Sequence, residues 1–69
     1  MEKIREVFGR NVKARRLELG LSISVVAKAS GVSRDTIRRI ESGHSNWRLN
    51  TLSAIAEALD MSLSELLKE

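Results

Sequence analysis

The sequence predicts an all-α fold, a compact bundle of five short helices around a central helix-turn-helix. Three observations predict it. Val, Ile and Leu recur at spacings of three and four along the 69 residues, the period of a helix rather than of a half-buried strand. Serine marks the helix starts. Ser22, Ser33 and Ser62 each offer a side-chain oxygen to orphan N–H groups, and each lies between two apolar residues at staple spacing: Leu21/Val26, Val32/Ile37 and Met61/Leu66. Glycine marks the ends, since Gly20, Gly31 and Gly43 sit just past apolar-periodic stretches, where the chain takes the left-handed conformation.

Taken in order, a first helix is expected over about 2–19, closed by Gly20. A second follows Ser22, over about 23–30. Only Gly31, Val32 and Ser33 separate it from a third, over about 34–42. Two short helices joined by a tight glycine-containing turn form a helix-turn-helix unit, here about 22–43. Asn50, with the weaker pair Leu49/Ala54, is the expected cap of a fourth helix over about 51–59. Ser62 and Glu65 make a capping box for a fifth, over about 63–68. With no Pro, repeat or low-complexity tract, residues 1–69 read as one domain.

Composition removes several classes of function. There is no Cys, so no disulfide and no thiolate metal site, and a single His leaves neither a zinc set nor a base–orienter pair. No glycine-rich phosphate loop is present. No catalytic residue, metal or cofactor is therefore expected, and no small-molecule ligand within this chain. No apolar run approaches the ~18–20 residues of a membrane span, and the charged N-terminus is no signal peptide. The expectation is a soluble cytoplasmic protein. Charge is divided: residues 1–48 carry 11 Lys/Arg against five acids, and residues 49–69 carry one Lys against four acids. A basic front and an acidic back suit a protein presenting one side to a polyanion.

The third helix carries the sharpest signal. Advancing ~100° per residue, Ile37, Ile40 and Glu41 share one face. Asp35, Arg39 and Ser42 lie opposite, flanked by Arg38 and Thr36, with Arg34 in the first turn. An arginine-rich face is ordinarily just solvated. Its place on the second helix of a helix-turn-helix favours double-stranded DNA instead, because that helix enters the major groove and Arg is the commonest reader of guanine. Asp35 has two readings, either accepting from cytosine N4 or serving the helix by favouring its dipole and holding Arg39 at i+4. Glu41 on the apolar face requires a partner, and Arg16 is the candidate for a structural ion pair. Leu63, Leu66 and Leu67, with Met61, either complete the core or leave a surplus apolar face for a homodimer.

These residues resemble the Cro/cI-type (XRE) helix-turn-helix regulators, over roughly residues 8–67. The resemblance rests on Arg16-Leu17-Glu18-Leu19-Gly20-Leu21-Ser22, on Ala27, and on Gly31-Val32-Ser33-Arg34-Asp35-Thr36-Ile37-Arg38-Arg39-Ile40-Glu41-Ser42-Gly43. It continues through Thr51-Leu52-Ser53-Ala54-Ile55-Ala56-Glu57-Ala58-Leu59 and Met61-Ser62-Leu63. It implies the lambda-repressor-like fold and a transcriptional regulator, a repressor bound as a homodimer to a palindromic operator. It implies that Arg34, Asp35 and Arg39 meet base edges and that Ser33, Thr36 and Ser42 meet phosphates or thymine methyls, with Arg38 beside them on the backbone. It implies that the loop after Gly43 follows the DNA backbone, with Asn46 and Arg48 as its phosphate contacts and His44 solvated. It also supports the Arg16–Glu41 pair.

Two positions depart from the family pattern. Ile23 stands where relatives carry a Gln that anchors the second helix on a phosphate; here it packs or lies near a thymine methyl. Trp47 stands where the loop often has Pro, and three readings remain open: burial over the loop, a phosphate contact, or a dimer contact. The alternative function on the same fold is a protein–protein adaptor or antitoxin, which has no need of Arg34, Arg38 and Arg39 around one outer face.

Overall fold

The chain folds into five helices: α1 (Ile4–Glu18), α2 (Ile23–Ser30), α3 (Arg34–Glu41), α4 (Leu49–Ala58) and α5 (Leu63–Leu66). They are seen in a computed structural model that describes residues 3–44 and 48–69. Among the described residues there is no β-strand.

The three serine caps form as their spacing predicts. The hydroxyls of Ser22, Ser33 and Ser62 accept from the N–H of Val25, Thr36 and Glu65 at 3.1, 3.2 and 3.2 Å. Ser62 N–H donates in return to Glu65 Oε1 at 3.1 Å, closing the capping box. That bond from the Ser62 N–H, and then a second from its hydroxyl to the same Oε1 at 3.1 Å, hold the Glu65 carboxyl below its ordinary value. Gly20, Gly31 and Gly43 all take positive φ. At the end of α4, which has no glycine, Asp60 does so at φ 57°, a conformation aspartate tolerates.

Phe8 and Val12 of α1, Val26 of α2, Ile37 and Ile40 of α3, Ile55, Ala56 and Leu59 at α4, and Leu66 of α5 form one core. Both members of each pair flanking the three serine caps belong to it or pack on it. In this core α1 packs across α3, α2 bridges α3 and α4, and α5 closes against α1 and α4. The α1–α3 crossing is close enough that a Cβ on Gly9 would sit 2.1 Å from the Ile40 carbonyl oxygen. The far flank of α1 seals two helix ends: Asn11 Nδ2 donates to the Leu66 and Lys68 carbonyls at 2.8 and 2.7 Å, and Arg15 Nε to that of Leu59 at 3.0 Å.

Some expectations need correction. Asn50 caps nothing: α4 starts one residue earlier, at Leu49, with Arg48 in the extended capping position and no side-chain cap bond. Leu49 is 68% exposed, so it cannot act as the apolar staple that would have favoured Asn50. The fifth helix is one turn, ending at Leu66 rather than near 68. Leu66, which could complete the core or join a dimer face, is wholly enclosed in the core and has no surface to offer a second chain.

Candidate nucleic-acid interface

The turn between α2 and α3 is built by two serines and a glycine. Ser30 Oγ donates to the Val26 carbonyl at 2.7 Å and accepts from Val32 N–H at 3.2 Å, so one hydroxyl joins the last turn of α2 to the residues beyond it. Gly31, at φ 74°, lets the chain reverse, and its N–H closes on Ala27 O at 2.9 Å. Ser33 then caps α3. Val32 and Ile23 pack on the core, which decides Ile23 for packing.

A buried ion pair fixes the other end of α3. Arg16 Nε and Nη2 donate to Glu41 Oε2 and Oε1 at 2.7 and 3.1 Å, and Arg16 Nη1 donates to the Leu21 carbonyl at 2.9 Å. The two side chains are only 10% and 7% exposed. The hydrogen bonding of Arg16 to the Glu41 carboxylate is the main reason its guanidinium is held above its ordinary pKa, against a smaller opposing cost of burial. The end of α1, the start of α2 and the end of α3 are thus tied at one point.

Held at both ends, α3 turns Ile37 and Ile40 inward and leaves Arg34, Asp35, Arg38, Arg39 and Ser42 exposed. Three cations and one carboxylate make this outer face positive. Arg39 Nε lies 3.2 Å from Asp35 Oδ2, the i, i+4 pair that one reading of Asp35 foresaw. Arg34 Nη1 donates to Ser24 Oγ on α2 at 3.4 Å.

Hydroxyl geometry separates the expected phosphate contacts. Ser33 Oγ donates to Thr36 Oγ1 at 2.8 Å while serving as the cap, which leaves the half-buried Thr36 hydroxyl its own proton to donate. Ser42 Oγ is turned back onto the Arg38 and Arg39 carbonyls at 3.0 and 3.1 Å and must rotate before it can donate outward. Arg48 is exposed ahead of α4, and His44 is exposed after α3. Asn46 and Trp47 lie outside the described residues. Met61, Leu63 and Leu67 are half-buried against the core.

Sequence reasoning missed Ser24 and Ser30. Both sit where helical periodicity is silent, because their partners are set by the crossing of α2 and α3 and by the turn itself. Among the described residues no group of three or more His, Cys, Asp or Glu could hold a metal ion, and no helix is long and apolar enough to cross a membrane.

A helix-turn-helix family model matches residues 12–66, which includes every helix from the second half of α1 to α5. The structure is similar to the restriction-modification controller protein C.AhdI from Aeromonas hydrophila, with TM-score 0.85 and 32% identity over 90% of this chain and 94% of that one. It is similar to the clp gene regulator ClgR from C. glutamicum, with TM-score 0.88 and 25% identity over 97% of this chain and 87% of that one. It is also similar to a hypothetical transcription factor, NHTF, from Neisseria, with TM-score 0.89 and 26% identity over 96% of this chain and 76% of that one. No curated protein sequence matches the chain significantly.

Proposed function

Since the chain belongs to the XRE-type helix-turn-helix family of DNA-binding transcriptional regulators, we propose that it is a repressor that binds a palindromic operator as a homodimer. In this reading α3 lies in the major groove. Arg34 and Arg39, with Asp35, face base edges, and Thr36, Arg38 and Arg48 follow the phosphates, joined by Ser33, Ser42 and Asn46. The observation that carries it is the outer face of α3: three exposed arginines on a helix whose ends are fixed by a serine cap and a buried ion pair. A helix held this rigidly presents its arginines in a constant frame, which base readout needs and an ordinary solvated face does not. The similarity to a gene regulator and to a restriction-modification controller protein supports a regulatory role, exerted in the cytoplasm.

For the dimer, the half-buried Met61, Leu63 and Leu67 remain as the contact. A two-fold pair would set half-sites about one DNA turn apart.

The test is selection from random duplex DNA, followed by sizing of the complex and a salt titration of the selected site. The expected result is a palindrome, two chains per duplex, and a salt slope matching roughly 4–8 neutralised phosphates. Arg48→Ala should weaken all sequences alike and flatten that slope by about one unit. Failure to enrich any sequence, with no salt-dependent binding to duplex, would move the chain to the adaptor or antitoxin reading.

A further inference from the structure

Among the described residues, two of the three arginines on the outer face of α3 have a side-chain neighbour. Asp35 Oδ2 lies 3.2 Å from Arg39 Nε as an ion pair, and Ser24 Oγ accepts from Arg34 Nη1 at 3.4 Å. Arg38 has no such partner among the described residues. We infer that Asp35 and Ser24 are positioning residues for DNA recognition, which aim Arg39 and Arg34 at base edges before DNA arrives. The inference rests on the proposed placement of α3 in the major groove.

The geometry assigns a free edge to each guanidinium. With Nε on the side of the Asp35 carboxylate, Arg39 offers its Nη1 and Nη2 hydrogens outward, a fork that matches guanine O6 and N7. With Nη1 committed to Ser24, Arg34 offers its Nε and Nη2 edge, a second fork of the same kind. Neither contact is kept for stability. The Asp35–Arg39 pair is about two-thirds exposed on both sides, and exposed pairs contribute little to folding. In the groove the same pair loses water and strengthens, so the aim tightens when the base is met. Restricting a long side chain beforehand removes an ordering cost from binding. Arg38, without such a partner among the described residues, is suited to phosphates, which accept from many directions.

Asp35 also works against unrelated DNA. Its carboxylate is carried towards the phosphates at every site, and only where Arg39 finds its base is that repulsion offset. Ser24 belongs to α2, so its bond to Arg34 makes the aim depend on the angle between the two helices. Ile23, packed on the core, holds that end of α2 in place.

The test is a set of double-mutant cycles read by binding to a library of selected-site variants. Arg39→Ala and Arg34→Ala first identify the base pair each arginine reads. Asp35→Ala is expected to reduce discrimination at the Arg39 base pair by roughly two- to tenfold, the cost of ordering one long side chain. It should add nothing in the Arg39→Ala background, and it should raise affinity for unrelated duplex, more so at low salt. Ser24→Ala should act likewise on the Arg34 base pair and add nothing beside Arg34→Ala. Both sites are exposed, so Ser24→Ala should melt with the parent and Asp35→Ala only slightly below it, since an acid in the first turn favours the helix dipole. The inference is overturned for Asp35 if its loss relaxes a different base pair, which would make it a reader in its own right, or if its effect survives in Arg39→Ala. It is overturned for Ser24 if discrimination is unchanged. If Arg39→Ala and Arg34→Ala themselves leave base preference intact, it is the placement of α3 that fails.

Discussion

Two arginine–carboxylate pairs end on α3, and they lie on its opposite faces. Arg16 meets Glu41 at 2.7 Å with both side chains almost fully buried, and Arg39 meets Asp35 at 3.2 Å with both about two-thirds exposed. The functional groups are the same, but the buried pair is doubly hydrogen-bonded while the exposed one is a single contact, and access to water separates them further. A buried pair cannot lose one partner without stranding the other in a medium that does not solvate it. An exposed pair can, because water takes the vacant place. The inner face of α3 therefore uses its charges to define the fold, and the outer face keeps its charges for a partner.

The largest expected effect tests the inner face. Glu41→Ala leaves the Arg16 guanidinium buried with the Leu21 carbonyl as its remaining acceptor among the described residues, at a cost of about 3–5 kcal/mol. A domain this small has little more than that in reserve, so the variant should be largely unfolded at room temperature by circular dichroism. Replacing both partners, as in Arg16→Met with Glu41→Leu, should recover most of the loss. Melting close to that of the parent in the single variant would show that Arg16 reaches water and that the two pairs do not differ as argued. The next effect tests the crossing that places the pair. Gly9→Ala puts a methyl 2.1 Å from the Ile40 carbonyl oxygen, which is backbone and cannot rotate away. α1 must then lift from α3, at an expected cost of about 1–3 kcal/mol by overpacking, read as a lowered melting temperature.

Which of these features the sequence could disclose follows from their range. Ser22, Ser33 and Ser62 act within a single turn, so spacing alone found all three caps. Glu41 could be assigned a partner because a carboxylate at an Ile37/Ile40 spacing has few other fates. Gly9 could not be understood the same way: a mid-helix glycine reads as a weakness, and only the approach of Ile40 explains it. Asn50 misled because an asparagine after a leucine imitates a cap, whereas backbone geometry had already started α4 at Leu49. Asn11 and Arg15 cap helix ends at Leu66 and Leu59, far along the chain, and no local pattern announces that. On the outer face, the exposed arginines were legible by periodicity, while Ser24, the partner of Arg34, belongs to another helix and was not.

The outer face should respond in the opposite way to the inner one. Arg39→Ala removes an exposed side chain and is expected to shift folding stability by no more than about 0.5 kcal/mol. On the selected operator it should cost about 1–3 kcal/mol and relax preference at one base pair. Paired melting and binding titrations read both quantities on one sample. A variant that melted well below the parent would place Arg39 in the fold and blur the division between the two faces.

Glu65 sharpens the comparison, because exposure alone does not make a carboxylate idle. It lies on the surface, yet its pKa is held below the ordinary 4.5, first by the Ser62 N–H and then by the Ser62 hydroxyl. A carboxylate whose folded pKa is depressed adds stability that is present above the unfolded value and is lost as pH falls through the folded one. The capping box should therefore contribute at neutral pH and fade below about pH 4.5, a small effect beside those above. Glu65→Gln keeps an oxygen that accepts from Ser62 N–H but does not titrate, so its melting temperature should fall less steeply with acid than the parent's. Parallel acid limbs for the two proteins would show that the Ser62–Glu65 bonds do not favour the folded state. What separates Glu65 from Asp35 is then the backbone N–H it accepts from: a carboxylate at the surface bears on the fold when the main chain is its partner, and is left to other tasks when that partner is another exposed side chain.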